Sequence, residues 1–307
     1  MAPPPQTETK EVAKEFRFFN VYKDGTVDLF FKNWKTVPPS DDPVTGVRSK
    51  DVTISTQPPV SARIFLPKLQ NLNQNKNPVL FYIHGGGFSM MSAFSPHYHR
   101  HCAFLAAEAN AVVVSIEYGL FPTRPIPACY EDSWIGLQWV ASHVNGNGPE
   151  NWLNDHVDFE KLFIGGDSAG GNITHDLSFR VGTIGLPDGV KLNGAFLVHP
   201  FFGGSEDDEM WMHMCVDNKG LHDPRMNPSV EDIGKLGCGR VLIFVAGKDY
   251  LKGPGEFYYE KMKMSGFKGS FEIVENENEE HCFYLGNFES EKAVELQNKI
   301  VSFLKQE

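Results

Sequence analysis

The sequence lacks the features that direct a protein to a membrane or a nucleic acid. No apolar run among its 307 residues approaches the roughly 20 that span a bilayer. The N-terminus has no basic stretch followed by an apolar one, the pattern of a secretory signal. Lys and Arg number 28 against 39 Asp and Glu, a net charge of −11, and no Lys/Arg cluster could neutralise a run of phosphates. We therefore expect no nucleic-acid partner and no membrane partner.

Cysteine is also scarce, and its pattern is uninformative for metal or disulfide chemistry. The five cysteines are odd in number and form no CxxC pair. A structural zinc site needs clustered thiolates, and a disulfide framework usually needs an even count. We expect a reduced, cytoplasmic protein. Nothing in the sequence indicates an oligomeric state.

What is present is the composition of a globular domain, with 41% hydrophobic and 22% charged residues. The first dozen residues are rich in Pro and charge and are predicted to be mobile. Two strand-like segments, 49–55 and 60–66, are predicted to form a hairpin across Pro58-Pro59. A polar loop at 70–77 follows.

Beyond that loop, short apolar runs alternate with helical stretches, which is typical of a mostly parallel sheet with helices on both faces. Predicted strands are 79–83, 111–117, 161–164, 195–199, 241–246 and 271–274. Predicted helices are 97–108, 131–143, 171–181, 256–264 and 291–305. No linker divides the chain, so residues 1–307 are interpreted as one α/β domain, with the non-periodic segment 203–228 as an insertion over one end of the sheet.

A serine between two glycines follows one of these strands. Gly166-Asp167-Ser168-Ala169-Gly170 stands between the strand at 161–164 and the helix at 171–181. A sharp strand-to-helix turn presents such a serine hydroxyl at the helix N-terminus, and a β-carbon in place of either glycine would collide with neighbouring backbone. We interpret Ser168 as a catalytic nucleophile.

A glycine-rich loop, His84-Gly85-Gly86-Gly87-Phe88, follows the strand at 79–83. Amides freed by consecutive glycines can point at a developing oxyanion, together with the amide after the nucleophile. A phosphate-binding loop would need a following Lys-Ser/Thr, and Gly87-Phe88-Ser89-Met90 lacks it. The loop therefore predicts an oxyanion hole.

A serine hydroxyl needs a base, and the base needs an orienting acid. The chain order Ser, Asp/Glu, His selects Asp249 after the strand at 241–246 and His281 after the strand at 271–274. Asp249 is preferred to Asp232 because it closes a strand directly. The acidic run 275–280 either supplies another partner or is a solvated face.

Other candidate residues have simpler interpretations. His97, His99 and His101 lie near one another on a predicted helix, but no carboxylate motif accompanies them, so we expect no metal. His175 is interpreted as a helix residue beside the nucleophile, and His199 ends a strand without a partner pattern. Phe88 is a candidate substrate contact. In the insertion, residues that either line a substrate pocket or are loosely packed are Met210, Trp211, Met212 and Met214.

With these residues in place, the sequence resembles the plant carboxylesterases of the hormone-sensitive-lipase-like branch of the α/β hydrolases. The resemblance runs from Val21-Tyr22-Lys23-Asp24-Gly25 to the C-terminal helix. Its motifs are 84–87, 128–134, 166–172, 245–249 and 279–281.

The resemblance implies an α/β-hydrolase fold with residues 1–48 folded over the active site as part of a cap. It implies a triad of Ser168, Asp249 and His281. The amides that it implies for the oxyanion hole are those of Gly86, Gly87 and Ala169.

The resemblance also implies hydrolysis of small carboxylic esters, such as short-chain acyl or acetate esters of plant metabolites, through an acyl-enzyme and without a cofactor. The same branch contains hydroxyisoflavanone dehydratases, tuliposide-converting enzymes, alkaloid cyclases and gibberellin receptors. A lyase or cyclase reaction in the same pocket is therefore the alternative, and a non-catalytic receptor is a further one. An esterase is favoured because Ser168 stands where the dehydratases tend to carry Thr, and because His281, which the receptors lack, is present.

One loop departs from the family pattern. The family usually reads Tyr-Arg-Leu-Ala-Pro-Glu-His where this chain reads Tyr118-Gly119-Leu120-Phe121-Pro122-Thr123-Arg124. Three prolines, Pro122, Pro125 and Pro127, indicate that the loop keeps its path. Because an Arg and a Glu are lost, the buried charge pair that is usual in the family is not carried over to this loop.

Overall fold

The structure is a computed structural model that describes residues 10–32, 34–69, 76–206 and 208–306. Residues 1–9, which belong to the segment predicted to be mobile, lie outside the described residues. The same holds for 70–75 of the predicted polar loop. The prediction of mobility extended to residue 12, and its last residue was wrong, because Val12 begins a strand.

The N-terminal segment forms a small antiparallel sheet that the sequence did not predict. Its strands are β1 (Val12–Glu15), β2 (Phe19–Tyr22) and β3 (Val27–Leu29). They are three or four residues long, too short for a periodic pattern to stand out. Phe19 anchors this sheet to the core, because its ring is fully buried and lies 5.1 Å from the Phe121 ring.

The central sheet contains the predicted strands. They are β4 (Arg48–Thr56), β5 (Pro59–Leu66), β6 (Asn77–Ile83), β7 (Val112–Glu117), β8 (Val157–Asp167), β9 (Leu192–Val198), β10 (Arg240–Ala246) and β11 (Ser270–Asn276). Their order is β11-β10-β9-β8-β6-β7-β5-β4. The β4–β5 hairpin and the β5–β7 pair are antiparallel, whereas the pairs from β7 through β11 are parallel.

The predicted sheet is confirmed, and β8 differs most from its predicted bounds. Strand β8 was predicted at 161–164, yet it starts at Val157, which pairs with Asn77 of β6. The polar residues near its start hid the extension, because Glu160 is exposed while Phe159 and Leu162 are buried.

Helices cover both faces of the sheet. They are α1 (Pro96–Ala109), α2 (Ala128–Ala141), α3 (Asn151–His156), α4 (Ala169–Thr183), α5 (Glu209–Met214), α6 (Val230–Gly234), α7 (Lys252–Met264), α8 (Phe283–Gly286) and α9 (Glu291–Lys305). Apolar residues of α2, α4 and α7 share one core cluster, and those of α1 and α9 share the other. Within the described ranges, no helix is both long enough and apolar enough to cross a bilayer.

Helix α9 shows how the sequence encodes these elements. Ser290 caps it by accepting the Ala293 amide, and the predicted apolar residues Ala293, Leu296, Ile300 and Phe303 are all buried. By contrast, α5 lies inside the insertion that was predicted to be non-periodic. Six residues make fewer than two turns, so no amphipathic period could be read there.

Candidate active site

Ser168 occupies the sharp turn between β8 and α4. Its φ is 52° and its ψ is −119°, a positive φ that non-glycine residues rarely adopt. A β-carbon on Gly166 or on Gly170 would overlap the carbonyl oxygen of Ile83 in β6. Both glycines are therefore required by the close approach of the neighbouring strand, as the motif predicts.

Backbone hydrogen bonds hold this turn at the carboxyl edge of the sheet. The Ser168 amide donates to the Val198 carbonyl at 2.8 Å, and the Phe201 amide donates to the Ser168 carbonyl at 2.9 Å. Within the described part of the chain, the Ser168 hydroxyl makes no hydrogen bond, including none to His281. Contacts of this kind are often long in an unliganded site and tighten when substrate binds.

The glycine-rich loop lies directly after β6, beside that turn. Gly86 and Gly87 have φ values of 109° and 57°, and the Gly86 carbonyl accepts the Met90 amide at 2.9 Å. None of the described residues accepts a hydrogen bond from the amides of Gly86, Gly87 or Ala169. These N–H groups are thus available to an oxygen atom placed between the loop and the start of α4.

The predicted acid and base are in contact. The Nδ1 atom of His281 lies 2.5 Å from Oδ2 of Asp249, and the Leu251 amide donates to the other carboxylate oxygen at 2.9 Å. A carboxylate can only accept, so the proton is on Nδ1 and Nε2 carries the lone pair. Burial alone would raise the pKa of Asp249. The hydrogen bond and the charge of His281 outweigh burial and hold that pKa below its ordinary value.

The segment that carries His281 also contacts the nucleophile turn. Cys282 follows His281, and its thiol lies 3.6 Å from Oδ2 of Asp167, the residue before Ser168. The Cys282 amide donates to Nδ1 of His199, which follows β9. Since β8, β9, β10 and β11 are neighbours in the sheet, their carboxyl ends bring these residues to one edge.

Asp167 is the centre of a buried network. Its side chain accepts hydrogen bonds from the hydroxyls of Tyr82 and Tyr98, each at 2.8 Å, and the Tyr98 hydroxyl in turn accepts the Gly85 amide at 2.8 Å. Burial raises the pKa of Asp167, and the tyrosine hydrogen bonds partly oppose that effect. The network therefore links the glycine-rich loop to the nucleophile turn.

The N-terminal segment crosses the candidate site between the glycine-rich loop and the loops that carry Asp249 and His281. The Phe18 ring lies against Gly87, where any β-carbon would overlap it. The Arg17 guanidinium lies 3.7 Å from the centroid of the Tyr250 ring, which is 6.1 Å from the His281 ring. Residues 17 and 18 thus contact the glycine-rich loop on one side and the acid–base loops on the other.

A salt bridge joins the loop after β7 to helix α2. Arg124 pairs with both carboxylate oxygens of Asp132, whose side chain is fully buried, and the Gly119 amide donates to the same carboxylate at 2.8 Å. A β-carbon on Gly119 would lie 2.8 Å from Cδ of Arg124. The sequence left the charge pair of this loop open, and the structure shows one whose cation comes from position 124, through space that the glycine leaves open.

The remaining histidines fit their simpler interpretations. His99 contacts Arg63 and Ser40, whereas His101 packs between the rings of Tyr82 and Tyr284. The described residues do place His199, His281 and Cys282 close enough to form a potential metal-binding group. Protein hydrogen bonds already engage each of these three residues, and the expectation of no metal stays a prediction.

The proposed substrate contacts are largely buried. Phe88 is 1% exposed and packs edge-on against Phe201, while Trp211 is 1% exposed beneath the Arg225 guanidinium. Met210 and Met214 belong to the same core cluster. They are therefore tightly packed rather than loose, and contact with substrate stays a prediction.

Two residues of the site were missed by sequence reasoning. Asp167 was noted only as part of a motif, and His199 only as a strand end. Each makes its contacts to residues far away in sequence, Tyr82 in one case and Cys282 in the other. The one available signal was their position at the carboxyl end of a strand next to the nucleophile.

Comparisons with known proteins identify the family of this chain. A family model described as the α/β-hydrolase fold matches residues 80–285. The chain is 42% identical to a 2-hydroxyisoflavanone dehydratase of Glycyrrhiza echinata, over 97% of this chain and 98% of that protein. It is 40% identical to probable carboxylesterase 5 of Arabidopsis thaliana, over 96% and 98%. It is 37% identical to the chloroplastic tuliposide A-converting enzyme 1 of Tulipa gesneriana, over 100% and 82%.

A solved esterase structure has a similar fold. A hyperthermophilic esterase from the archaeon Pyrobaculum calidifontis superposes with a TM-score of 0.68 and 26% sequence identity. The match covers 84% of this chain and 85% of that one.

Proposed function

This chain belongs to the α/β-hydrolase fold family, and from that premise we propose that it is a serine carboxylesterase acting on small carboxylic esters. The 2.5 Å contact between His281 Nδ1 and Asp249 Oδ2 carries the proposal. It supports His281 as a base in the tautomer that leaves Nε2 free, at the same sheet edge as Ser168. The region matched by the family model contains all three residues.

The first half of the reaction forms an acyl-enzyme. His281 Nε2 takes the proton of the Ser168 hydroxyl as Oγ attacks the ester carbonyl carbon. The amides of Gly86, Gly87 and Ala169 receive the negative oxygen of the tetrahedral intermediate. That intermediate collapses when the C–O bond to the alcohol breaks, and His281 gives its proton to the departing oxygen.

Water completes the cycle. His281 removes a proton from a water molecule, whose oxygen attacks the acyl carbon, and the same amides hold the second oxyanion. The bond to Ser168 Oγ then breaks, Oγ takes its proton back from His281, and the carboxylic acid leaves. The low pKa of Asp249 keeps that carboxylate ionised throughout, so it supports the charge on the imidazolium.

The relatives and the motifs support a proposal for the substrate class. We propose short-chain acyl or acetate esters of plant metabolites, since probable carboxylesterase 5 aligns over 96% of this chain. No cofactor takes part in the steps above.

Residues 1–48 and 203–228 are proposed as the cap of a single catalytic domain. Three contacts support this: Phe18 lies on Gly87, Arg17 lies on Tyr250, and the Phe16 ring lies 5.2 Å from His213 of α5. A cytoplasmic location is also proposed, supported by the five free thiols. The location of a fluorescent fusion of the full chain would test it.

Replacement of Ser168 by Ala tests the proposed function. With p-nitrophenyl esters of two- to about twelve-carbon acids, we expect turnover to fall by about 10⁴-fold or more, with Ser142→Ala as the control. A fluorophosphonate probe should label the parent protein and not the variant. Hydrolysis by Ser168→Ala at the parent rate would overturn the assignment.

A dehydratase is the second candidate, favoured by the 42% identity to the Glycyrrhiza echinata protein. In that reaction a β-hydroxy ketone loses water, and no acyl-enzyme forms. Product analysis with such a substrate separates the two functions: elimination that survives Ser168→Ala would favour the dehydratase.

A further inference from the structure

A buried histidine outside the proposed triad contacts the segment that carries the base. His199 follows β9 with a φ of 46° and is 1% exposed. The Cys282 amide donates to its Nδ1 atom at 3.0 Å. The His199 and His281 rings are 5.9 Å apart.

These contacts determine the state of the His199 ring. A backbone N–H can only donate, so Nδ1 holds the lone pair and the proton is on Nε2. The Nε2 atom lies 3.3 Å from Oδ1 of Asn276, which accepts that proton. Burial, with a smaller effect of the nearby His281 charge, lowers the pKa of His199 to about 4. The ring therefore stays neutral, and Nδ1 stays an acceptor, at ordinary pH.

Asn276 extends this contact to both acid–base loops. It ends β11, and its backbone carbonyl accepts the Gly247 amide at 3.0 Å and the Glu279 amide at 3.3 Å. Gly247 leads into Asp249, and Glu279 leads into His281. The ring of His199 thus bridges the end of β9 to the point where the two loops meet.

The backbone at Cys282 needs such a restraint. Its φ and ψ of 50° and 32° lie in the left-handed region, which costs free energy for a residue with a β-carbon. Three hydrogen bonds hold it there: the Cys282 amide donates to His199, its thiol donates to Asp167, and its carbonyl accepts the Leu285 amide at 3.1 Å. Release of this conformation would turn the backbone that carries the His281 ring.

We propose that His199 is a positioning residue for the esterase reaction: it accepts the Cys282 amide and so keeps the His281 ring aligned between Asp249 and Ser168. The inference rests on the proposed function, since it assigns a role relative to that base. His199 acts through the backbone and does not touch the substrate.

Two substitutions separate this role from simple packing. His199→Phe keeps a ring of similar size but has no acceptor, so we expect kcat to fall by about 10- to 100-fold with KM unchanged. In His199→Asn, the side-chain oxygen can stand where Nδ1 stands, and we expect kcat within about threefold of the parent. If His199→Phe does not fold, His199→Leu replaces it.

His101→Phe is the matched control. His101 is fully buried, and neither of its ring nitrogens has a hydrogen-bond partner among the described residues. We expect this variant to keep the parent kcat. A loss in His101→Phe as large as that in His199→Phe, or a His199→Asn variant as slow as His199→Phe, would overturn the inference.

A measurement on the parent protein needs no variant. Nitrogen-15 spectra of histidine-labelled protein should show His199 with an unprotonated Nδ1 and a protonated Nε2 at neutral pH, and the opposite tautomer would overturn the inference. A parent protein that neither hydrolyses esters nor takes up a fluorophosphonate would instead refute the proposed function. An active parent matched by His199→Phe would refute only the role of His199.

Discussion

The thiol of Cys282 lies 3.6 Å from the carboxylate of Asp167. Cys282 follows His281, and Asp167 precedes Ser168. A single side-chain contact therefore joins the segment of the proposed base to the segment of the proposed nucleophile, across 115 positions of the chain. Because Asp167 also accepts a hydrogen bond from Tyr98, which binds the Gly85 amide, the contact extends to the glycine-rich loop.

Asp167→Asn should weaken this junction. The amide presents one acceptor oxygen where the carboxylate has two, so a donor from Tyr82, Tyr98 or Cys282 loses its partner. We expect the free energy of unfolding to fall by about 1–3 kcal/mol, with a lower kcat, measured by urea unfolding and ester hydrolysis. The exposed Asp155→Asn is the control, and equal stability of the two variants would contradict the prediction.

Asp249→Asn should leave the protein folded but nearly inactive. An asparagine can offer an N–H to Nδ1 and so stabilise the wrong tautomer, with the proton on Nε2. We expect kcat to fall by a factor on the order of 10³ to 10⁴. Asp232 is the acid to which Asp249 was preferred in the sequence analysis, and Asp232→Asn should keep the parent rate. A similar loss in both variants would argue against the assignment.

Gly87→Ala should disturb the glycine-rich loop through Phe18. The new methyl group would overlap the Phe18 ring at a residue with a φ of 57°, so we expect kcat/KM to fall about tenfold or more. Adding Phe18→Ala should restore part of the loss, because it removes the overlap. Gly185→Ala, with a φ of 86° and open space around it, is the control. The absence of any coupling between positions 87 and 18 would count against this contact.

Arg124→Ala should destabilise the fold. It leaves the buried Asp132 carboxylate without its cation, and we expect a loss of about 3 kcal/mol in the free energy of unfolding. Gly119→Arg combined with Arg124→Ala should recover part of it from the neighbouring position. Lys235→Ala, which removes an exposed pair with Glu231, should cost less than about 1 kcal/mol. A loss no larger than that of the control would contradict the prediction.

His101→Phe should change how stability depends on pH. Burial lowers the pKa of His101 to about 3, from an ordinary value of 6.5, so between these pH values unfolding takes up a proton. The free energy of unfolding therefore falls as the pH drops through this window, by up to about 1.4 kcal/mol per pH unit for one histidine. We expect a shallower slope in the variant, measured by urea unfolding between about pH 6 and pH 4. Identical slopes would refute it.

The sequence predicted the parts of the site whose signal is local. The turn at Ser168 follows from two glycines beside a buried strand, and Asp249 and His281 follow from their places after β10 and β11. Apolar runs of Val, Ile and Phe mark strands covered on both faces, so the sheet could be predicted with errors of only a few residues at most strand ends.

What the sequence did not predict depends on pairs that are distant along the chain. Nothing near His199 indicates that its ring will meet the Cys282 amide, and nothing near Phe18 indicates that it will lie on Gly87. The N-terminal strands and α5 are too short to show a period. Tertiary packing, rather than local preference, places them.

The position of the cation in the loop after β7 affects how this sequence is compared with its relatives. Compared position by position with the family pattern, this chain has glycine at 119 where the pattern has arginine, and arginine at 124 where the pattern has histidine. In space the two positions are coupled, since the missing side chain at 119 makes the room through which Arg124 reaches Asp132. A search for sequences that share this loop should therefore look for glycine at 119 and arginine at 124 together.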